Sequence, residues 1–429
     1  MSFFSKLWQC NGCKPEGDDA ELVLSQAAVS RPVVIASPAY EAMGSRLRKI
    51  LGCEDFSESA GPTVSIEKFK SNDPNVRFNW ARLNGRKVIF LFDSTDQSRF
   101  FEQLMLLQSL QGFPLPDGND SSHKWKTYTQ SGKYAWGRAS EIMVVLPWYR
   151  PCQMERTSRW QLKDGTWSNS DPKGEWLDVP AAQYMARILA TQGPMPPEMA
   201  PHSSLDDFPL HPLWRPKLEL IFVELHEELP VISAVRDLPV IVRTERFVPY
   251  FLDYFKDKPE YPGKDRMYIV FPDRGAYDRY SAAVRQNLEL DMNHILYIPK
   301  TRVGDEIKQE KRFVYLEKES EHEKSGFSDK DSVLIIDDFT NSGSTLLGAT
   351  GLVQTKSLAS NTPQLSIFVS HLVAAYDAKV VEKLKHNLHE LPFKCDFYTT
   401  NTIPQMTELL KDEFNIYVLD ISDFLANIL

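Results

Sequence analysis

The sequence predicts an α/β fold built from two doubly wound, mainly parallel sheets. Nine nearly continuous apolar runs, rich in β-branched residues, recur along the chain, and segments with a helical pattern, such as 100–110, separate them. Strands of this kind are typical of parallel sheets that helices cover on both faces. A length of 429 residues suits two or three domains. The predicted strands are 32–38, 87–93, 141–149, 218–225, 267–273, 294–300, 332–338, 364–373 and 415–421.

The domain organisation is predicted from shifts in composition. Residues 1–30 are polar and acidic, which is typical of a poorly ordered N-terminal arm. The segment 200–216 is rich in proline, so we place a boundary there, between a first domain of residues 31–215 and a second of residues 216–429. Segments 112–137 and 161–176 are rich in Gly, Ser, Asp and Pro, and we interpret them as inserted surface loops, not strands.

Composition and charge exclude several classes of protein. Hydrophobic residues make up 42% of the chain and charged residues 25%, which is ordinary for a globular protein with a core. The net charge of -9 argues against binding to nucleic acid or to an anionic membrane. The sequence has no apolar run of the ~20 residues that would span a bilayer. Its start resembles neither a secretory signal nor an Arg-rich transit peptide, so we expect a cytoplasmic protein.

The cysteines indicate a reducing compartment. They number five and are scattered along the chain. Cys10 and Cys13 form a CxxC pair, but no second pair follows at the spacing of a zinc finger. We interpret the pair as an ordinary feature of the N-terminal arm; the alternative is a metal or redox site shared with a partner chain.

Polar and charged side chains follow several of the predicted strands. Taken singly, such an acid is often a helix cap, such a histidine a structural one, and such a cation part of a solvated edge. In open parallel sheets, however, ligands bind at the carboxyl ends of the strands. Anions and cations on one rim suit a phosphate substrate and a divalent metal. The residues concerned are Arg156, His226, Asp273, Lys300, Arg302, Asp337 and Asp338.

The stretch "IIDDFTNSGSTL", residues 335–346, combines two acids with a small polar loop before a helical pattern. Such a loop presents backbone N–H groups to an anion, helped by the helix dipole. Asp337 and Asp338 would repel a bare phosphate, so they suit ribose hydroxyls or a Mg²⁺ that bridges to phosphate. GxxxxGK[ST] is absent, so this is not a Walker A loop, and adjacent acids do not match the DxDxT of HAD-type phosphatases.

This loop resembles the phosphoribosyl-pyrophosphate (PRPP) loop of type I phosphoribosyltransferases and PRPP synthases. The segments "LPWYRPCQMER", "FVELHEELPVISAVRDLPV", "FPDRGAYDRY" and "PKTRVGDEI" precede it in the order found in ribose-phosphate diphosphokinase, the PRPP synthase family. Segments "FEQLMLLQSL" and "LPWY…MER" are most similar to the plant-type, class II branch. The resemblance spans roughly residues 32–429 and implies two type I phosphoribosyltransferase-like domains.

The resemblance also implies an activity and its site. A family member transfers diphosphate from ATP to the 1-hydroxyl of ribose 5-phosphate with Mg²⁺, making PRPP and AMP for nucleotide biosynthesis, and works as a homo-oligomer or within a larger assembly. The implied catalytic residues are Lys300 and Arg302. The implied ribose 5-phosphate site is Asp337, Asp338, Thr340, Asn341, Ser342, Gly343, Ser344 and Thr345. The implied metal site is His226 and Asp273, and the implied ATP contacts are Arg156 with Phe69 and Asp73, the last two from a neighbouring subunit.

Two geometric expectations follow. His226 and Asp273 should lie at adjacent strand ends and face one cleft. The stretch from 303 to 320, which follows Lys300 and Arg302, is charged and loop-like and could close over bound substrate.

The family pattern is not complete in this chain. Asn341 and Ser344 replace the usual third acid and second glycine of the PRPP loop, and Gln153 and Met154 replace the usual Arg-Gln. Two alternatives therefore stay open. One is a PRPP-synthase-like structural or regulatory subunit with reduced or no activity, and the other is a phosphoribosyltransferase that consumes PRPP.

Overall fold

A computed structural model of the chain describes residues 31–53, 63–70, 74–114, 136–151, 154, 160–163, 166–169, 179–191, 216–303, 306–317, 320–357 and 363–429. The N-terminal arm, the Cys10–Cys13 pair, Asp73, Arg156 and most of both predicted insertions lie outside these residues. Among the residues that the structure describes, no helix is long and apolar enough to cross a membrane.

The strands follow the predicted alternation with helices. All nine predicted strands form, several of them shorter than predicted. The strands are β1 Val33–Ala36, β2 Val64–Lys68, β3 Pro74–Phe78, β4 Lys87–Leu91, β5 Phe113–Pro114, β6 Trp136–Gly137, β7 Glu141–Leu146, β8 Trp160–Lys163, β9 Thr166–Asn169, β10 Lys217–Val223, β11 Ile241–Glu245, β12 Met267–Phe271, β13 Ile295–Tyr297, β14 Lys300–Val303, β15 Glu306–Gln309, β16 Phe313–Glu317, β17 Ser320–Lys324, β18 Ser332–Thr340, β19 Gln364–Leu372, β20 Cys395–Thr400 and β21 Ile416–Leu419.

The helices cover both faces of the sheets. The predicted crossover helix at 100–110 is present as Phe100–Gln111. The helices are α1 Glu41–Ile50, α2 Trp80–Leu83, α3 Phe100–Gln111, α4 Ala181–Thr191, α5 Glu228–Val235, α6 Val248–Lys256, α7 Arg274–Leu288, α8 Ser344–Thr355, α9 Ala378–His389, α10 Pro404–Thr407 and α11 Ser422–Ile428.

Two large sheets organise the described residues. The first sheet has the order β1-β4-β7-β10-β11, and all its pairs are parallel. The second has the order β17-β16-β13-β12-β18-β19-β20-β21 and is parallel from β13 to β21, with an antiparallel hairpin at one edge. The predicted class, α/β with two mainly parallel sheets, is confirmed.

Alternate residues of one strand enter different cores. Val88 and Phe90 of β4 join one apolar cluster, and Ile89 joins the other. In the same way Val333 of β18 enters the first cluster and Leu334 the second. Because both faces of these strands are buried, the strands appear in the sequence as continuous apolar runs.

The end of the first sheet differs from the predicted boundary. Strand β10 pairs with β7, and β11 pairs with β10, so the first sheet continues to Glu245. The predicted boundary at 216 therefore does not separate the two sheets. The Pro-rich segment that suggested it joins α4 to β10, which belong to the same half, so its composition marks a connection inside that half.

Two predictions of irregular structure are wrong where the structure describes them. Strands β8 and β9 form a hairpin within the second predicted insertion. The stretch 303–320, predicted to be loop-like, contributes to two antiparallel ribbons, β14–β15 and β16–β17. We predicted strands from continuous apolar runs, and these charged segments have none. Two-stranded ribbons and sheet edges do not require such runs, so the prediction missed them.

Buried polar side chains connect the two halves. Glu224, which follows β10, is 2% exposed. Its carboxylate accepts hydrogen bonds from the backbone N–H groups of Phe247 and Val248 at 2.7 and 3.0 Å and from the hydroxyl of Tyr280 at 2.7 Å. Burial raises the pKa of Glu224, partly offset by these hydrogen bonds. One side chain thus ties β10 to the first turn of α6 and to α7.

The carboxyl-terminal helix also packs on the first half. Helix α11 contacts α1, and Arg46 of α1 pairs with Asp423 of α11 at 2.5 Å. The carbonyl oxygen of Ile428 accepts from Arg243 of β11 at 2.7 Å. The two halves therefore also meet along the carboxyl-terminal helix.

His371 gives this interface a pH dependence. It is 1% exposed, and burial lowers its pKa to about 4. Its ring lies 4.5 Å from that of Trp148, and its Nδ1 lies 2.8 Å from Thr402 Oγ1. The unfolded chain binds a proton to this residue near pH 6.5 and the folded chain only near pH 4, so stability falls as the pH drops through this window.

We expect the free energy of unfolding to fall by about 2 kcal/mol between pH 7 and pH 5 through His371 alone. Urea denaturation of the wild type and of His371→Gln at both pH values measures this loss. The variant should be less stable at pH 7, but it should lose about 2 kcal/mol less than the wild type on acidification. Equal losses in the two proteins would show that His371 does not carry the dependence.

Candidate active site

A polar cleft of about 670 Å³ lies at the carboxyl ends of β12 and β18. Helices α7 and α8 begin at its wall, so the N-terminal ends of two helices border the same space. The cleft brings together most of the site residues predicted from the sequence. Its lining is His226, Glu227, Asp273, Arg274, Gly275, Ala276, Arg279, Lys300, Asp337, Asp338, Phe339, Thr340, Asn341, Ser342, Gly343, Ser344 and Thr345.

The loop between β18 and α8 is held by its own hydroxyl groups. The Gly343 N–H donates to Thr340 Oγ1 at 3.1 Å, and the Ser342 hydroxyl donates to Ser344 Oγ at 2.9 Å. Helix α8 then begins at Ser344 and runs for 12 residues. Its dipole and its first backbone N–H groups favour an anion in the cleft.

Gly343 is required by conformation and by packing. Its φ of 75° lies in the left-handed region, which costs residues with a Cβ about 1–2 kcal/mol. A Cβ at this position would lie 2.5 Å from Cδ1 of Leu384 in α9. Because Leu384 is itself buried, the loop can approach α9 this closely only with glycine.

Asp338 lies in a cluster with His226 and Arg279. Its Oδ2 lies 2.6 Å from His226 Nδ1 and 2.7 Å from Arg279 Nη1. Although burial raises the pKa of Asp338, the hydrogen bond from His226 and the charge of Arg279 lower it below its usual range. Asp338 is therefore an anion, and it orients both partners towards the cleft.

Asp337 behaves in the opposite way. Burial, the charge of Asp338 and the more distant charge of Asp273 raise the pKa of Asp337 well above its usual value. The repulsion between these acids is what a bound cation would relieve. Of the two adjacent acids, one is thus neutralised by protein cations and the other is left for a ligand.

Asp273 and Lys300 form the second charged pair of the cleft. Asp273 caps α7 by accepting the N–H of Ala276 at 2.9 Å, and it accepts from Lys300 Nζ at 2.6 Å. Burial raises the pKa of Asp273, but the contacts with Lys300 and Ala276 lower it by more, so the pKa lies below its usual value. Lys300 is the first residue of β14, which places its ammonium group at the base of the β14–β15 ribbon.

Three further expectations concern the positions of Arg302, Phe69 and the pair His226 and Asp273. The backbone of Arg302 pairs with Ile307 across this ribbon. Phe69 follows β2, is 54% exposed, and does not belong to the described residues that line the cleft. His226 and Asp273 face one cleft, as expected, but they follow strands of different sheets, β10 and β12, so they do not end adjacent strands.

The donors suit a divalent cation carried on phosphate better than one held by the protein alone. Within the described ranges, no group of three His, Cys, Asp or Glu side chains is placed to hold a metal ion. Mg²⁺ is usually bound by one or two carboxylates together with water and substrate phosphates. Asp337, whose pKa is raised by burial and by neighbouring acids, and Asp273 fit that need. His226 Nδ1, in contrast, is already directed at Asp338.

Sequence reasoning missed Arg279, although the motif "FPDRGAYDRY" was recognised. Helix α7 begins directly after Asp273, and residues three or four positions apart lie on one helix face. Gly275, Ala276 and Arg279 follow that spacing and line the cleft. The same spacing, counted from the cap residue, was available in the sequence.

The two sheets, with the acidic strand end and loop of β18, define a type I phosphoribosyltransferase-like fold in two halves. Among solved structures, the chain is similar to the phosphoribosylpyrophosphate synthetase from Mycobacterium smegmatis, with 16% identity and a TM-score of 0.57 over 93% of this chain and 97% of that one. An adenine phosphoribosyltransferase from Saccharomyces cerevisiae matches 40% of this chain and 80% of its own length, with 12% identity and a TM-score of 0.22. No family model matches the sequence, and no curated protein matches it.

We expect Gly343→Ala to lower the free energy of unfolding by about 3 kcal/mol, because the left-handed φ and the contact with Leu384 add up. Gly351→Ala is the matched control, within helix α8, which Gly343 immediately precedes. A Cβ there meets nothing within 4 Å, so alanine should stabilise the helix by up to about 1 kcal/mol. Urea denaturation measures both changes. Equal effects of the two substitutions would show that Gly343 has no special role.

Proposed function

We propose that this protein transfers diphosphate from ATP to the 1-hydroxyl of ribose 5-phosphate, making PRPP and AMP. The observation that carries the proposal is the joint placement, in one cleft, of a small polar loop at a helix start, three acidic side chains and a lysine at the base of a ribbon. The fold and its likeness to a PRPP synthetase support the same function class. By its motifs, we assign the chain to the plant-type, class II branch.

The loop from Thr340 to Thr345 binds the 5-phosphate in this proposal. Helix α8 supplies N–H groups and the positive end of its dipole, and Ser344 and Thr345 supply hydroxyl donors. Asp337 and Asp338 accept hydrogen bonds from the ribose hydroxyls. Asp338 keeps its charge through His226 and Arg279, so it remains an acceptor at neutral pH.

The transfer itself needs positioning and charge stabilisation more than covalent help. The oxygen of the 1-hydroxyl forms a bond to the β-phosphorus of ATP. The bond from that phosphorus to the oxygen shared with the α-phosphate breaks, and AMP leaves with this oxygen. The hydroxyl proton passes to solvent. Lys300 and Arg302 stabilise the negative charge on the transferring group.

Mg²⁺ enters the proposal as an ion carried by the nucleotide phosphates. It supplies charge neutralisation there, and Asp273 and Asp337 are the carboxylates that would hold it. His226 orients Asp338 through Nδ1, which assigns it a positioning role beside the metal role implied by the resemblance. Lys300 pairs with Asp273 in this structure, and a cation held by Asp273 would leave the Lys300 ammonium group free to contact the phosphates.

A catalytic role is favoured over the scaffold alternative by the charged groups of the cleft. A scaffold gains nothing from holding Asp337 beside two other acids, because that arrangement costs stability. The other alternative, a phosphoribosyltransferase that consumes PRPP, requires a hood over a nucleobase, and no observation on the described residues favours one.

We expect wild-type protein to form AMP and PRPP from ATP, ribose 5-phosphate and Mg²⁺. Lys300→Ala should lower kcat and kcat/KM together by about a hundredfold, because loss of one cation at the transition state costs about 3 kcal/mol. The affinity for ribose 5-phosphate should stay near that of the wild type. A coupled AMP assay and calorimetric titration measure the two quantities.

Lys311→Ala is the control, because Lys311 is exposed and lies just beyond the β14–β15 ribbon. It should retain activity within about twofold. Wild-type protein that forms no AMP with any nucleoside triphosphate would support the scaffold instead. An active Lys300→Ala variant would leave the enzyme in place and remove Lys300 from its mechanism.

A further inference from the structure

The β14–β15 ribbon that carries Lys300 is held at its base by two side chains. Lys300 of β14 and Gln309 of β15 are directly opposite each other in the ribbon. Residues paired in this way project their side chains from the same face. Lys300 Nζ donates to Asp273 Oδ2 at 2.6 Å, and Gln309 Nε2 donates to the carbonyl oxygen of Pro272 at 3.0 Å. The base of the ribbon therefore contacts two consecutive residues that follow β12.

Gln309 also contacts helix α8. A Cβ at Gly348 would lie 2.7 Å from Gln309 Oε1, which is too close unless one of the two atoms moves. Gly348 lies one turn after Ser344, the residue that begins α8 and lines the cleft. The glycine thus leaves the space that the amide group of Gln309 occupies. One side chain connects the ribbon, the end of β12 and the first turns of α8.

The two contacts at the base of the ribbon respond differently to a bound cation. In the proposed reaction, a cation held by Asp273 takes the carboxylate from Lys300. The contact of Gln309 joins a neutral amide to a backbone carbonyl and does not use that carboxylate. It can therefore persist in the complex with substrates and keep the start of β14 in place. A cation that stabilises a transition state acts through its position, so such an anchor supports the rate.

We propose that Gln309 positions Lys300 by fixing the base of the β14–β15 ribbon to the end of β12, in the space that Gly348 leaves. The inference rests on the proposed function and adds a positioning residue to it. Gln309 is not among the described residues that line the cleft. It therefore acts through Lys300 and not on the substrates.

Gln309→Ala tests the anchor without any substrate. Amide hydrogen exchange of the full chain should become about fivefold faster or more in β14 and β15, because loss of the hydrogen bond to Pro272 favours local opening of the ribbon. The amides of the β16–β17 ribbon serve as the internal control, and their exchange should keep its wild-type rate.

Gly348→Ala tests the same contact from the side of α8. The added methyl group should displace the Gln309 amide and accelerate exchange in the ribbon as Gln309→Ala does. Gly351→Ala is the matched control in α8, because a Cβ there meets nothing within 4 Å, and it should leave exchange in the ribbon unchanged. The double variant Gln309→Ala/Gly348→Ala should resemble Gln309→Ala alone, because no amide is left to displace.

Kinetics then connect the anchor to Lys300. Gln309→Ala should lower kcat about fivefold to tenfold, the effect of one lost hydrogen bond, while the dissociation constant of ribose 5-phosphate stays within about twofold. In the Lys300→Ala background, removal of the Gln309 side chain should change kcat by less than about twofold. A merely structural role would lower kcat equally in both backgrounds. The AMP assay and calorimetric titration measure these quantities.

Unchanged exchange of the ribbon in Gln309→Ala, or equal effects of Gly348→Ala and Gly351→Ala on it, would overturn the anchor. Faster exchange with a wild-type kcat, or the same loss of kcat with and without Lys300, would overturn the positioning role. These results differ from failure of the proposed function, in which wild-type protein itself forms no AMP. An active wild type with any of them would leave the enzyme in place and remove Gln309 from its mechanism.

Discussion

The hydrogen bonds of the buried Glu224 carboxylate fix the two halves of this protein against each other. The residue leaves β10 with a φ of 49°, and its side chain reaches α6 and α7. A buried carboxylate is costly unless its oxygens are fully hydrogen-bonded, so the geometry of these contacts is tightly specified. His226 follows two residues later, and Arg279 precedes Tyr280. The contact that joins the halves thus also brings His226 and Arg279 to Asp338.

The electrostatics of the cleft follow from that placement. Three acids converge on one space, and the protein supplies cations for two of them, Arg279 for Asp338 and Lys300 for Asp273. Asp337 is left with a pKa raised well above its usual value. The Asp337 carboxyl is therefore available to a ligand that brings its own cation, as a nucleotide with Mg²⁺ does.

The walls of the cleft differ in how they are held. The loop at Gly343 is packed against Leu384 and stabilised by its own hydroxyl groups. The β14–β15 ribbon that carries Lys300 forms a separate two-stranded sheet, although Gln309 anchors one strand to the carbonyl oxygen of Pro272 at 3.0 Å. In the proposed reaction, the fixed loop would hold the acceptor sugar and the ribbon would bring the cation to it.

The sequence by itself determined the parallel strands, because strands buried on both faces must be continuously apolar. It also predicted a small polar loop that ends at a helix start, and this loop lies at the beginning of α8 and lines the cleft. Only the tertiary structure showed the antiparallel ribbons, and only it showed that β10 and β11 belong to the first sheet. Polar edge strands carry little local signal, and strand partners lie far apart in sequence. Arg279 and the contact of Trp148 with Tyr376 belong to the same group. Their partners come from different halves, which meet at the buried Glu224 contact and along the carboxyl-terminal helix.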